Sequence, residues 1–126
     1  MVITALLRLL AWLLAAAVTF VTLGPENLRP HPVLGQHGDH GLAFLLVGIA
    51  FGLAYPQRRW TVSAGAVALI GLLEIMQLWV PGRHARFADF VVDALSACVG
   101  FALSAAADRM MTQFGEDTDA VTRQRP

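Results

Sequence analysis

Four stretches of this chain run for fifteen residues or more with at most one Asp, Glu, Lys or Arg apiece. They cover 3–23 (with Arg8), 41–55 (with none), 61–80 (with Glu74) and 90–107 (with Asp93). A helix needs about 20 mostly apolar residues to cross about 30 Å of hydrocarbon. Backbone facing lipid must satisfy its hydrogen bonds within its own segment, so these runs read as helices. The alternating segments of a membrane barrel are absent. The expected fold is all-α: an integral membrane bundle of four transmembrane helices spanning residues 1–111. The polar stretch 112–126 reads as a disordered cytoplasmic tail.

Composition agrees. Of 126 residues, 56% are hydrophobic and 14% charged, too apolar for the large surface-to-volume ratio of a small soluble domain. Nine arginines and no lysine balance nine acids, giving zero net charge. Such a balance provides no basic surface for nucleic acid. The single cysteine, Cys98, excludes an intrachain disulfide and any multi-cysteine metal site. Within the fourth run it reads as a small buried apolar residue.

Punctuation falls between the runs. Gly24, Pro25, Pro30 and Pro32 follow the first, Pro56 ends the second, and Pro81-Gly82 ends the third. Pro56–Trp60 is short enough to make a tight antiparallel hairpin of runs two and three. Tyr55, Trp60 and Trp79 stand at run ends, where amphipathic rings favour the membrane interface. Arg8 with Ala15-Ala16-Ala17 would also suit a cleaved signal peptide, but the apolar stretch continues to Leu23 and favours a retained helix. With both termini cytoplasmic, the inner segments hold six arginines and the outer loops three. The positive-inside rule therefore puts both ends inside.

That topology gathers His40, Glu74, Gln77, Arg83, His84, Arg86, Asp89 and Asp93 at the outer side. Glu74 and Gln77 share one helix face, as do Asp89 and Asp93. With the third helix running to Pro81, Glu74 would lie about 10 Å below its end. A carboxylate within a membrane costs at least about 2.5 kcal/mol and needs a partner, a proton or water. Arg83 and Arg86 are the nearby cations, and a guanidinium pairs bidentately with carboxylate or phosphate. The cluster is either a structural knot or an outward-open pocket for a polar or anionic head group. Asp89 also suits a helix start. His31, His37, Asp39 and His40 are metal-ligand types without a metal-site spacing. Gly48-x-x-x-Gly52 and Ser96-x-x-x-Gly100-x-x-x-Ser104 read as helix-packing faces. No nucleophile stands beside a base, and no phosphate-binding glycine loop is present.

The stretch Glu74-Ile-Met-Gln77-Leu-Trp-Val-Pro81-Gly82-Arg83, with Asp89 six residues after Arg83 and Gly100 beyond, resembles the VanZ-like family of small membrane proteins. His40 followed by Ala43-Phe44 resembles the histidine that precedes an apolar helix in that family. The likeness covers about residues 36–105. Three positions depart from the pattern: Gln36 stands where an aspartate is usual, Asp93 where an asparagine is common, and Ser96 where a glycine is common. The resemblance implies a four-helix, multi-pass protein of the inner (cytoplasmic) membrane. It also implies a cell-envelope setting connected with susceptibility to the glycopeptide teicoplanin, with no reaction and no cofactor attached. The expected ligand site is His40, Glu74, Gln77, Arg83, Arg86, Asp89 and Asp93, and the expected partners are bilayer lipid and a lipid-linked or anionic head group. A membrane enzyme using Glu74 or Asp93 as acid–base, a proton-coupled transporter and a non-catalytic assembly partner are the rival readings.

Overall fold

The computed structural model describes residues 1–24, 33, 35–79 and 86–123, with backbone alone at 36, 37 and 117–123. Among these the chain is all-helical: α1 (Val2–Leu23), α2 (Gln36–Ala54), α3 (Arg59–Gln77) and α4 (Phe87–Arg123). Val2–Leu23, Pro56–Gln77 and Phe87–Glu116 are long and apolar enough to cross a membrane, and Gly38–Ala54 is a shorter apolar helix.

Each boundary has a local cause. α1 has no internal glycine or proline and stops at Gly24, whose N–H donates to Phe20 O (2.6 Å). α2 starts after Gly35, whose φ of +84° suits a residue without Cβ. It ends at Ala54, because Tyr55 precedes a proline and is steered out of the helical region. A single 3₁₀ turn, Pro56–Arg58, then leads straight into α3, which gives the short hairpin expected between runs two and three.

Two expectations about helix length are corrected. α3 stops at Gln77, not at Pro81, and its end tightens through Leu78 N–H to Ile75 O and Trp79 N–H to Met76 O (both 3.1 Å). Such i→i+3 bonds are a common way for a helix to finish. Glu74 is therefore in the last turn, about 4.5 Å from the helix end and not about 10 Å. α4 does not end near residue 111: its backbone stays helical through Arg123, where a disordered tail was expected. No proline interrupts 87–123, and the one late glycine, Gly115, costs a helix only about 1 kcal/mol. At 37 residues it is about 55 Å long, against about 28 Å for α2.

The helices pack through small residues. The most extensive pair is α2 with α4. A Cβ at Gly48 would strike the Ala97 backbone, one at Gly52 the Ser104 side chain, and one at Gly100 would sit 2.8 Å from Ile49 N and 3.0 Å from Gly48 C. These are the two small-residue faces picked out in the sequence, meeting each other. Gly41 lies against Ser96, and the contacts climb both helices together, so α2 and α4 run parallel. Phe44, Val47, Phe51, Ala97 and Phe101 flank the seam in two small buried clusters.

Most other apolar side chains face outward. Leu6, Leu9, Leu10, Leu13 and Phe20 on α1, Leu69, Leu72 and Ile75 on α3, and Leu95, Val99 and Leu103 on α4 are exposed. So is Cys98, which corrects the expectation of a buried residue: it lies on the face of α4 turned away from the Ala97–Gly100 seam. Trp60 (90% exposed) and Trp79 (84%) stand at opposite ends of α3, as interfacial anchors do. Apolar surface of this extent on a small chain marks a lipid-facing protein.

One end of the bundle is held by arginine. Arg59 Nε donates to Gly52 O (3.0 Å), and its NH2 group pairs with Asp108 of α4. Arg8 Nε reaches Ala54 O (3.5 Å) while its guanidinium lies 5.0 Å from the centre of the Tyr55 ring. Trp12 Nε1 donates to Tyr55 Oη (3.1 Å). The last carbonyls of a helix lack intrahelical donors, and two guanidinium groups supply them for α2. With Asp108 half exposed, Asp108→Ala should lower stability by no more than about 1 kcal/mol. The paired swap Arg59→Asp/Asp108→Arg should recover part of that loss in a thermal melt, and no coupling between the two sites would refute the link.

Candidate functional site

At the opposite end of the bundle the acids converge. Glu74 comes from the last turn of α3, Asp89 from the first turn of α4, Asp93 from one turn deeper, and His40 from the start of α2. The fold brings them together because α3 and α4 are antiparallel, so that the end of one meets the start of the other: Gly71 packs on Phe90, and Arg86 N–H donates to Glu74 Oε1 at 2.6 Å. That bond serves two needs at once. The first N–H groups of a helix have no intrahelical acceptor, and a carboxylate beside them is also favoured by the helix dipole. Glu74 thus acts as a cap for α4 delivered from another helix.

Asp93 is the most enclosed member, 5% exposed. Its Oδ2 lies 3.8 Å from His40 Nδ1 across the α2–α4 seam, an electrostatic contact longer than a hydrogen bond. Its Oδ1 is buried and has no hydrogen-bond partner among the described residues. A buried acceptor left in that state costs about 1–3 kcal/mol. Asp89, Asp93 and His40 are the titratable neighbours of Glu74. Gln77, one turn beyond Glu74, is buried.

The sequence-predicted site therefore divides. His40, Glu74, Asp89 and Asp93 are brought together, with Gln77 on the same helix end as Glu74. Arg86 contributes its backbone N–H, while the residue itself is exposed, and no ion pair among the described residues includes its guanidinium. Arg83 and His84 lie outside the described residues. What the described part presents is a set of acceptors: three carboxylates and an imidazole. No group of three or more His, Cys, Asp or Glu among the described residues is arranged to hold a metal ion.

Beside this cluster a cleft of roughly 180 Å³ opens between α1 and α2. His40 and Asp39 line it from α2, and Thr22 lines it from α1. Thr22 is 2% exposed, and its Oγ1 has no partner among the described residues. Sequence reasoning missed Thr22, because a threonine within an apolar run carries no signal until a second helix is laid against it. Asp39 was noted only as a loop ligand type. In the structure it belongs to the first turn of α2 and accepts from Val33 N–H (2.8 Å).

No protein-family model, no curated protein and no solved structure matches the chain. Function must therefore be argued from the site's own chemistry.

Proposed function

We propose that this is a VanZ-like protein of the cytoplasmic membrane, with four spans and both termini cytoplasmic. Its outward-facing polar pocket receives the head group of a lipid or a lipid-linked cell-wall precursor, and through that contact it influences susceptibility to glycopeptides such as teicoplanin. The observation that carries the reading is Asp93. A carboxylate enclosed at the α2–α4 seam, with one oxygen unpartnered among the described residues, is expensive to keep in a chain that faces lipid. A ligand bearing hydroxyl or amine donors would satisfy that oxygen. His40, Glu74 and Asp89 add acceptors around the same point. Arg83 and Arg86 are the groups for a phosphate on such a ligand.

The reading is testable by thermal shift of the purified protein in detergent, using a polyprenyl diphosphate carrying an N-acetylated amino sugar as the probe. Saturating probe should raise the midpoint by roughly 5 °C or more. Glu74→Gln and Arg83→Ala should each lose most of that shift while still inserting into the membrane. A full shift in both variants would rule out the pocket.

A second reading is favoured by the His40–Asp93 contact. A carboxylate beside an imidazole can orient a general base, which would make the protein a membrane enzyme acting on the same head group. Release of a labelled head group by wild type, lost in Glu74→Gln, would select it over binding alone.

A further inference from the structure

The α1–α2 cleft has the makings of a site of its own. Its walls are Ala17, Val18 and Val21 on α1 and Ala43 on α2. These residues lie within segments whose outer faces are apolar, the kind of surface a bilayer covers. An apolar hollow of about this size has room for a small apolar group. Ala17 lies five residues below Thr22, which makes the hollow about 7.5 Å deep along the helix.

Its upper end is different in kind. Thr22 is 98% enclosed (2% exposed) and its hydroxyl has no partner among the described residues. A helical threonine ordinarily settles its hydroxyl on the carbonyl one turn back, as Thr19 does on Ala15 O at 2.8 Å. Thr22, one turn later, does not. His40 lines the same end while its Nδ1 faces Asp93. Asp39 stands on the same wall, so the carboxylates at this end, Asp39 on the rim and Asp93 behind His40, provide acceptors. The cleft therefore joins an apolar shaft to a polar rim, and the rim is continuous with the acidic cluster through His40.

We infer that the cleft between α1 and α2 holds the upper part of one acyl chain of a membrane glycerolipid whose head group carries hydroxyl or amine donors, with Thr22 and His40 at the head-group end. Only the choice of head group rests on the pocket proposed above; the chain site stands on the cleft itself. The occupant is lipid because the shaft is apolar and lies between two apolar helices whose outward side chains are themselves apolar. It is a donor-bearing lipid because the Asp39 and Asp93 carboxylates at that end accept.

The test uses the full chain in nanodiscs containing a glycerolipid with a photoactivatable group near the carbonyl end of one chain. Three head groups are compared: glycerol and ethanolamine, which carry donors, and choline, which does not. Mapping of the adducts should place them at residues 17–22 and 43 for the first two lipids, at least five-fold above the choline lipid. Ala43→Leu and, independently, Ala17→Leu should each reduce the adducts five-fold or more by filling the shaft. Glu74→Gln should leave them in place, so that failure of the pocket and failure of the cleft give different patterns. Adducts spread evenly along the outer face of α1, equal labelling by all three lipids, or labelling unaffected by either leucine would overturn the inference.

Discussion

Replacing Gly100 by leucine is expected to leave no folded protein in the membrane. The Cβ alone would meet Ile49 N at 2.8 Å and Gly48 C at 3.0 Å, with the Leu45 carbonyl closer still. These are backbone atoms of a helix, so no side-chain rotation can make room and α2 must move. Moving it breaks the Gly48–Ala97 and Gly52–Ser104 contacts on the same seam. In lipid the loss is not offset by hydrophobic association, since helices there are held by close packing and interhelical hydrogen bonds. Overpacking commonly costs about 1–3 kcal/mol and more when backbone is displaced, against a total stability of about 5–15 kcal/mol. Gly65→Leu is the control, because nothing lies within 4 Å of a Cβ there. Size-exclusion profiles of detergent-extracted protein should show a single sharp peak for Gly65→Leu and aggregate or nothing for Gly100→Leu. A sharp peak for both would mean that α2 and α4 do not pack as described.

Asp93→Asn should do the opposite: a sturdier protein that no longer binds. The wild-type carboxylate is enclosed, its Oδ1 lacks a partner among the described residues, and its contact to His40 is only 3.8 Å. Asparagine keeps the shape and removes the charge. A charge buried without a hydrogen-bonded counter-ion is costly, and a neutral amide of the same shape avoids that cost. A gain of about 1 kcal/mol corresponds to a midpoint higher by roughly 4–8 °C in a domain of about this size. At the same time the amide presents a weaker acceptor, and affinity for the probe should fall at least about ten-fold, the value of one charge-assisted hydrogen bond. Stability bought at the expense of function is the signature of a site. A structural knot predicts the reverse, with a lower midpoint and unchanged binding, and that result would remove Asp93 from the pocket.

Much of the candidate site could be read before any helix was placed. Glu74 and Asp93 stand out because each is the lone acid in an apolar run, and His40 because it opens one. The role of Glu74 could not be read. Its hydrogen bond goes to a backbone group twelve residues away, and nothing in the identity of Arg86 announces that its N–H, not its guanidinium, is used. Thr22 was invisible for a similar reason: an unsatisfied hydroxyl is a property of surroundings.

The linear chain decided its own local structure and its solvent. Apolar runs of helical length with lone charges require helices facing lipid, because hydrocarbon cannot satisfy exposed backbone, and prolines and glycines mark most of their ends. It also marked which faces are small enough for close approach. What only the tertiary structure settled is pairing and register. α2 and α4 meet in parallel, with Gly48 on Ala97 and Gly52 on Ser104. That register sets His40 across from Asp93, and the antiparallel α3–α4 contact sets Glu74 over the start of α4. Such choices depend on how whole surfaces fit, over sequence separations of about fifty residues in the case of Arg59 and Asp108 (49 apart). A periodicity of 3.6 residues per turn carries no information at that range.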